Sequence, residues 1–267
     1  MRLVRPRSVV TEIPKGFAAI RKNAGVKSGS LTQSGSVNAS SGQTISNLFI
    51  RGGQVYVGAQ QDVTIRNCHF VGDGSEYFAI QCDSGSVTIE DCTFEGFYKD
   101  SAVSYGGVTM RRCEIVGMYT DGVKIGSNCL HEANWIHGFA PAQGAHSDGM
   151  QIYEKVGNVI VRNNVVEVGL GGTWNANDAI DQSTNSALIL NESLATGTPG
   201  PVEIAGNLLG GGGFSVYMTL PSSTTTFTGN QFIRNSYRWG VLDDRVHATT
   251  WSNNTYSDTG AQIAMPA

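Results

Sequence analysis

The sequence predicts an all-β fold, a single right-handed parallel β-helix of about eight stacked coils. Three observations lead to this prediction. A short phrase returns eight times along the chain, its positions align into apolar columns, and no amphipathic helical segment separates the copies. The composition agrees, because 34 glycines among 267 residues and only 15% charged residues suit strands joined by many tight turns.

The phrase reads V-x-I-x-x-C/N-x-F-x-G, in which an alternating pattern is interrupted by a bend and then resumes. A strand, a turn and a second strand produce such a pattern. Successive copies begin 24, 21, 21, 30, 43, 23 and 24 residues apart, so the base period fits one three-sided coil and the longer gaps are loops. The copies begin at Val63, Val87, Val108, Cys129, Val159, Val202, Thr225 and Thr249.

Three columns of the repeat, at its first, third and eighth positions, are predicted to face the interior. His131 falls in one of them, so we expect a hydrogen-bonded core histidine. The five cysteines lack zinc-ligand spacing and are predicted to be small buried apolar residues. The bend position predicts a ladder of stacked side chains, at a turn where Asn tolerates left-handed backbone angles. That column contains Cys68, Cys92, Cys113, Asn134, Asn164, Asn207, Asn230 and Asn254.

The chain is divided into an N-terminal cap or anchor segment with a linker, residues 1–45, and the β-helix, residues 46–267. The segment IPKGFAAIRKNAGV predicts a short helix. Two roles stay open for it, a cap on the exposed N-terminal edge of the coils or an anchor on a larger assembly. The stretch from Ser28 to Gln43 is polar and is predicted to be the linker.

Charge and hydropathy exclude two classes of partner. The net charge is −4 and no run of five basic residues occurs, which argues against a nucleic-acid surface. No stretch of eighteen apolar residues occurs, so no membrane span is predicted. The N-terminal residues do not form a secretory signal. We therefore expect either a missing leader or release by another route, such as assembly into a particle freed by lysis.

An acidic strip is predicted at the entrance of the second strand of each coil. Asp121, Asp148 and Asp178 align there one above another, and the outward position three residues later holds Lys124 and Asp181. Stacked carboxylates repel one another unless a cation lies among them, so the three aligned aspartates are a candidate Ca²⁺ site. The alternative is that each D-G carboxylate orders its own turn, which is the commoner role of Asp at such a position.

The two longest loops are predicted to flank this strip, and long loops on a rigid scaffold often carry binding residues. The first brings His146 next to the strip, and the second brings Trp174 and Asn177. Trp174 and Tyr153 present aromatic faces on which sugar rings can stack, and Asn177 can hydrogen-bond sugar hydroxyls. These three residues are the candidate glycan-binding residues.

Four phrases carry a resemblance to a known family: DGVKI at Asp121, HSDGMQI at His146, NNVV at Asn163 and WSNNTYSDTGAQI at Trp251. They resemble right-handed parallel β-helix, pectate-lyase-like proteins of actinobacteria and of the phages that infect them, over roughly Leu48 to Ile263. In bacteria such proteins look secreted, and in phages they look like minor tail or other virion proteins. The resemblance implies the fold more firmly than any activity.

The expected function is that of a phage virion structural protein, at the tail tip or decorating the surface, that contacts host-envelope glycan. Other virion proteins and further copies of the chain, a trimer included, are the expected partners, and no cofactor is expected apart from Ca²⁺. The alternative is a secreted glycoside hydrolase or Ca²⁺-dependent lyase. In that enzyme Lys124 or His146 would be the base, and Asp148, Asp178 or Asp181 would act as acid or hold the metal. A passive glycan-binding module is the third possibility.

Overall fold

The computed structural model describes residues 15–27, 29–141, 145–152, 156–170, 182–190, 200–218 and 224–267. In these residues three parallel sheets wind into an all-β solenoid, accompanied by one helix, α1 (Lys15–Asn23). Each coil contributes one strand to sheet A, then one to sheet B, then one to sheet C. The expected fold class is confirmed.

Sheet A has ten strands, and its inward residues continue the third apolar column of the repeat. The Phe70 and Phe94 rings stack at 5.0 Å between centroids. The strands are β1 (Thr32–Ser34), β4 (Leu48–Arg51), β7 (His69–Asp73), β10 (Thr93–Phe97), β13 (Glu114–Val116), β16 (Trp135–His137), β19 (Val165–Leu170), β22 (Leu208–Gly212), β25 (Gln231–Phe232) and β28 (Thr255–Tyr256).

Sheet B has nine strands and carries the second strand of each coil. Its strands are β2 (Val37–Asn38), β5 (Val55–Gly58), β8 (Phe78–Cys82), β11 (Ser101–Tyr105), β14 (Asp121–Ile125), β17 (Ala145–Ile152), β20 (Gln182–Leu190), β23 (Phe214–Met218) and β26 (Gly240–Leu242).

Sheet C also has nine strands and carries the beginning of each phrase. Its register places Val63 beside Val87 and Ile65 beside Ile89, as the sequence alignment predicts. The strands are β3 (Thr44–Ser46), β6 (Val63–Arg66), β9 (Val87–Glu90), β12 (Val108–Arg111), β15 (Cys129–Glu132), β18 (Val159–Arg162), β21 (Val202–Ala205), β24 (Thr225–Thr228) and β27 (Thr250–Ser252).

The bend between sheets C and A contains the predicted ladder. The side-chain oxygen of Asn164 accepts both the backbone N–H and the side-chain amide of Asn134, each at 3.0 Å. The Asn164 amide group in turn donates to the His131 carbonyl at 2.9 Å and to the Asn207 side chain at 3.0 Å. The same pattern continues to Asn230 and Asn254, all fully buried. Each asparagine therefore fixes the height of its coil against the next.

The left-handed backbone conformation lies one residue before the ladder, not in it. Asn67, Asp91, Arg112, Ala133 and Asn163 have φ between 50° and 56°. The ladder position is selected for its hydrogen bonds, and the preceding residue makes the turn. Cysteine substitutes in the first coils because its Sγ also accepts across the gap, from the Cys68 N–H to Cys92 at 3.4 Å. All five cysteines are buried free thiols, as predicted.

The predicted linker is part of the solenoid. Within residues 28–43, β1 pairs with β4 and β2 with β5, and β3, which follows at Thr44, pairs with β6. The coils therefore begin at Thr32, before the boundary expected at residue 46. The polar composition of this stretch reflects a terminal coil, whose side chains are largely exposed.

Helix α1 packs on the outside of the rod and does not cap its end. Phe17 packs against Val165 and Leu208, which face outward from sheet A and are nevertheless fully buried. Arg21 forms an ion pair with Glu167 and lies over the Trp135 ring, 5.7 Å from its centroid. No helix among the described residues is long and apolar enough to cross a membrane.

The segment after α1 runs along the bend towards the first coil. Gly25 N–H donates to the Arg112 carbonyl at 2.8 Å, and Lys27 N–H donates to the Asn67 side chain at 2.7 Å. These contacts lie on the side of the rod and not at its N-terminal end. Residues 15–27 cross several coils on the side of the rod. The role of residues 1–45, as a cap or as an anchor, stays a prediction.

The last residues of the chain cover its C-terminal end. The Trp251 indole N–H donates to the Ile263 carbonyl at 2.7 Å, and its ring lies 5.2 Å from that of Phe227. Ile263 is buried. Trp251 thus covers the core, whereas Trp239 is 50% exposed. Because residues 260–265 fold back, the final strands do not present an open apolar end.

His131 occupies the predicted inward column, beside Met110 and Val161. It is fully buried, and neither ring nitrogen has a hydrogen-bond partner among the described residues, so the expected hydrogen bond is absent there. Burial lowers the pKa of His131 to about 4. The neutral imidazole is thus accommodated as an apolar side chain would be.

We expect Asn164→Ala to lower the free energy of unfolding by about 3 kcal/mol, because the Asn134 N–H and the His131 carbonyl lose their buried partners. Urea unfolding measures the change. Asn38→Ala, at an exposed strand position, is the control. Equal stability of the two variants would contradict the ladder's role.

We expect His131→Met to stabilise the protein more at low pH. Below pH 6.5 the unfolded chain protonates this histidine, whereas the folded chain resists protonation down to about pH 4, so its unfavourable contribution grows across that window. The advantage of the variant should rise by about 2 kcal/mol between pH 8 and pH 5 in urea unfolding. His146→Gln, an exposed histidine, is the control, and a difference that does not change with pH would refute the account.

Candidate functional site

The acidic strip lies at the entrance of sheet B, but its composition differs from the prediction. Ser101 pairs with Asp121, and Asp148 pairs with Ser186. The alignment that placed Asp178 above Asp148 is therefore wrong. The strand that continues the column, β20, starts at Gln182, later than the alignment assumed, and Asp178 lies outside the described residues.

Asp121 is the first residue of β14 and is 8% exposed. Its Oδ1 accepts the backbone N–H of Asp148 at 2.8 Å, and its Oδ2 lies 3.7 Å from the Lys124 ammonium. The carboxylate therefore orders the next coil, not its own turn. Burial raises the pKa of Asp121 to about 6, against the opposing effects of the Asp148 N–H and Lys124.

Asp148 lies deeper, at 3% exposed. Its Oδ1 accepts the Asn185 side-chain amide at 2.9 Å and the Ser186 hydroxyl. Burial, followed by the neighbouring Asp121 carboxylate, raises the pKa of Asp148 well above its usual value. Both aspartates thus hold the adjacent coil through hydrogen bonds, and Asp148 is too enclosed to touch a polysaccharide chain.

Lys124 neutralises the strip. Its ammonium forms an ion pair with Asp100, in the preceding coil, and its side chain is 17% exposed. Although burial alone would lower the pKa of Lys124, the contacts with Asp100 and Asp121 raise it. The lysine is therefore charged over the whole physiological range, which does not suit a general base.

The outward column that contains Lys124 continues through Gln151 to Ile189. Asp181, predicted for this place, lies outside the described residues, and the position is occupied by Ile189. The later start of β20 accounts for both differences from the alignment. Among the described residues, the predicted acidic strip therefore ends at Asp148.

The glycines of the two D-G pairs are explained by packing. A Cβ on Gly122 would collide with the Gly149 carbonyl oxygen, and one on Gly149 would come within 2.6 Å of the Ala187 carbonyl oxygen. The repeated dipeptide thus serves the close approach of successive coils. It carries no information about catalysis.

Three of the predicted site residues, Asp121, Lys124 and Asp148, are brought together. His146 lies in the same strand as Asp148, two residues earlier, and is exposed. The candidate glycan-binding residues, Tyr153, Trp174 and Asn177, lie outside the described residues.

The sequence analysis missed the partners of the strip. Ser101, not Asp100, is the residue that aligns with Asp121 in the repeat. A comparison of aligned positions therefore does not include Asp100. Asn185 and Ser186 follow the long loop, where the alignment had already slipped. One signal in the sequence could have indicated Asp100. Lys124 is the lone cation of the strip and needs an acidic partner, and Asp100, in the coil before, is available for that role.

A calcium site was expected at Asp121, Asp148 and Asp178. Because Asp178 lies outside the described residues, its part in such a site stays a prediction. Among the described residues no group of three or more His, Cys, Asp or Glu side chains could hold a metal ion. Oδ1 of Asp121 and Oδ1 of Asp148 already accept protein hydrogen bonds, and Lys124 supplies the positive charge between Asp100 and Asp121.

The architecture and the strip together define a parallel β-helix protein. The polar groups of its strip are already hydrogen-bonded or ion-paired within the protein. The family described as a right-handed β-helix region matches residues 36–194, more than half of the sequence. The chain belongs to this family. No curated protein matches it.

Solved structures share the fold. A PL6 alginate lyase in complex with a trisaccharide superposes with a TM-score of 0.59 at 15% identity, over 91% of this chain and 52% of the lyase. This chain thus spans about half the length of the lyase, and a likeness at this identity shows the fold alone. The Dettilon tailspike protein matches with a TM-score of 0.24 at 13% identity, over 93% of this chain and 62% of the tailspike. That score is too low to carry an argument.

We expect Asp148→Ala to destabilise the fold by about 3 kcal/mol, because Asn185 and the buried Ser186 hydroxyl lose their acceptor. Asp148→Asn keeps an acceptor oxygen and should cost less. Urea unfolding of both variants at pH 7 measures the difference. An Asp148→Ala protein as stable as the unaltered one would mean that the carboxylate is not part of the fold.

Proposed function

We propose that this chain is a non-enzymatic β-helix protein of a phage virion, at the tail tip or on the particle surface, that contacts host-envelope glycan. One observation carries the proposal. The carboxylates of the strip are bonded to the next coil or paired with Lys124, so the described residues that most resemble catalytic groups serve the scaffold. A rigid rod with such a face suits adhesion and assembly better than chemistry.

Several further points belong to this proposal. The virion branch rests on the resemblance of the D-G and Asn phrases to phage β-helix proteins. Other virion proteins and further copies of the chain, including a trimer, are the proposed partners. Tyr153, Trp174 and Asn177 are proposed to touch the glycan from the loops beside the strip. A location in the virion follows from these partners, with secretion as the alternative.

A polysaccharide hydrolase or lyase is the second candidate, and one observation favours it. The pKa of Asp121 is raised to about 6, which would let this carboxyl carry a proton near neutral pH, as a general acid must. Lys124 lies beside it. The buried position of Asp121 and its bond to the Asp148 N–H weigh against this role.

The test combines an activity assay with a search for the chain in virions. The protein is incubated with neutral and acidic glycans, with and without Ca²⁺, while reducing ends and the absorbance of unsaturated uronates are followed. Mass spectrometry then quantifies the chain in virions of the phage that encodes it. We expect no product and a fixed copy number per virion.

The control variant is Glu203→Gln, on the outer face of sheet C. If product forms with this control but not with Asp121→Asn, the chain is an enzyme. Absence of the chain from purified virions would refute the location. The two arms fail independently, so each part of the proposal is tested separately.

A further inference from the structure

We propose that a row of exposed aromatic rings at the edge between sheets A and B is a binding platform for a neutral polysaccharide. The row consists of Tyr77, Phe97 and Tyr119 and is called the aromatic ledge. This inference rests on the proposed function, since it names where the glycan lies and which chemical class it has. None of the three residues was a candidate from the sequence.

The ledge follows the axis of the rod. Tyr77 lies between β7 and β8, Phe97 ends β10, and Tyr119 lies between β13 and β14, so three successive coils each contribute one ring at the same edge. Successive coils are about 4.8 Å apart. The Phe97 and Tyr119 ring centroids are 5.8 Å apart and inclined by 54°. An extended glycan parallel to the axis can therefore meet the neighbouring Phe97 and Tyr119 rings. Tyr77 lies beside Asp100 in register and adds a ring from the coil before.

The rings are concentrated and exposed. They are 61%, 36% and 42% exposed, in chain order, and they are three of the five exposed large apolar side chains among the described residues. Such a cluster on a soluble rod indicates a contact surface, whereas scattered exposed rings do not. Aromatic faces with polar hydroxyls suit the alternating apolar and polar surface of a sugar ring.

The ledge is ordered before any ligand arrives. The Phe97 ring lies over Gly74, where a Cβ would come within 2.8 Å of the ring. The Lys99 ammonium lies 5.2 Å from the centroid of the Tyr77 ring and donates to the Ser75 carbonyl at 2.7 Å. Rings held in this way lose little conformational freedom on binding, which favours affinity.

The charge around the ledge determines the class of glycan. Tyr98 is buried directly after Phe97, and its pKa is raised by burial and then by the nearby carboxylates of Asp73, Glu76 and Glu95. Such a surface repels uronates, sulfated glycans and nucleic acids.

The strip beside the ledge adds no free positive charge, because Asp100 and Asp121 outnumber Lys124 there. Lys99 brings a cation to the Tyr77 ring, and its ammonium is already engaged with that ring face and the Ser75 carbonyl. Arg51 is near Asp73, whose carboxylate it partly offsets. A neutral polysaccharide is therefore the ligand that the geometry and the charge both accept.

The test is affinity electrophoresis in gels that contain hydroxyethylcellulose, arabinogalactan or alginate, at low ionic strength. We expect at least one neutral glycan to retard the protein and alginate not to. The triple variant Tyr77→Ala, Phe97→Ala, Tyr119→Ala should bind at least tenfold more weakly. Tyr56→Ala removes a ring of similar exposure, 40%, on the outer face of sheet B, and should bind as the unaltered protein does. Thermal unfolding confirms that each variant folds.

Four outcomes would overturn the inference. If neutral glycan retards the triple variant as strongly as the unaltered protein, the ledge is not the site. The same conclusion follows if neither neutral glycan retards the unaltered protein. Preferential retardation by alginate would refute the ligand class. A self-association of the protein that the triple variant abolishes in sedimentation would assign the ledge to a second copy. None of these results depends on the activity assay or on the virion search, so the two proposals fail separately.

Discussion

The chain of buried asparagine amides at the bend is the interaction on which the rest of the structure depends. Along the interior of the ladder, as at Asn164, the amide oxygen accepts two N–H groups from the coil before and the amide group donates twice. Because a slip of one residue would break all of these bonds and turn every apolar side chain outward, the ladder sets a single register. The stacking of Asp121 and Asp148, and the row of rings on the edge, follow from that register.

Much of this register could be predicted from the sequence because the repeat contains no gap within the phrase. The inward columns and the ladder from Cys68 to Asn254 are where the alignment places them. The first coil was missed because a terminal coil buries few side chains, so β1 and β2 lack an apolar signature. Asp178 was misplaced because a periodicity cannot locate a strand after a long insertion; the strand that pairs with β17 starts only at Gln182.

The position of α1 had a signal in the sequence that the column analysis did not use. Most coils carry polar or half-exposed residues at the outward position after the bend, such as Glu114, whereas Val165 and Leu208 are apolar there and fully buried. An apolar outward pair requires a cover, and the amphipathic segment at the N-terminus supplies it. The packing of the N-terminal segment on an apolar outward pair could have been inferred, but the coils that α1 contacts could not.

The strip illustrates why carboxylates in a solenoid are weak indicators of chemistry. Their spacing follows from the coil repeat, and the partners that satisfy them come from adjacent coils that a linear sequence does not show. The aromatic ledge was not predicted for a related reason, since its rings lie at a strand end and in turns outside the repeated phrase. The central claim is that ligand lies along the ledge while the strip serves the fold. A crystal structure of the protein soaked with oligosaccharides from the retarding glycan tests it most directly: sugar rings stacked on Phe97 and Tyr119 are predicted, and a sugar bound at Lys124 and Asp121 would contradict the account.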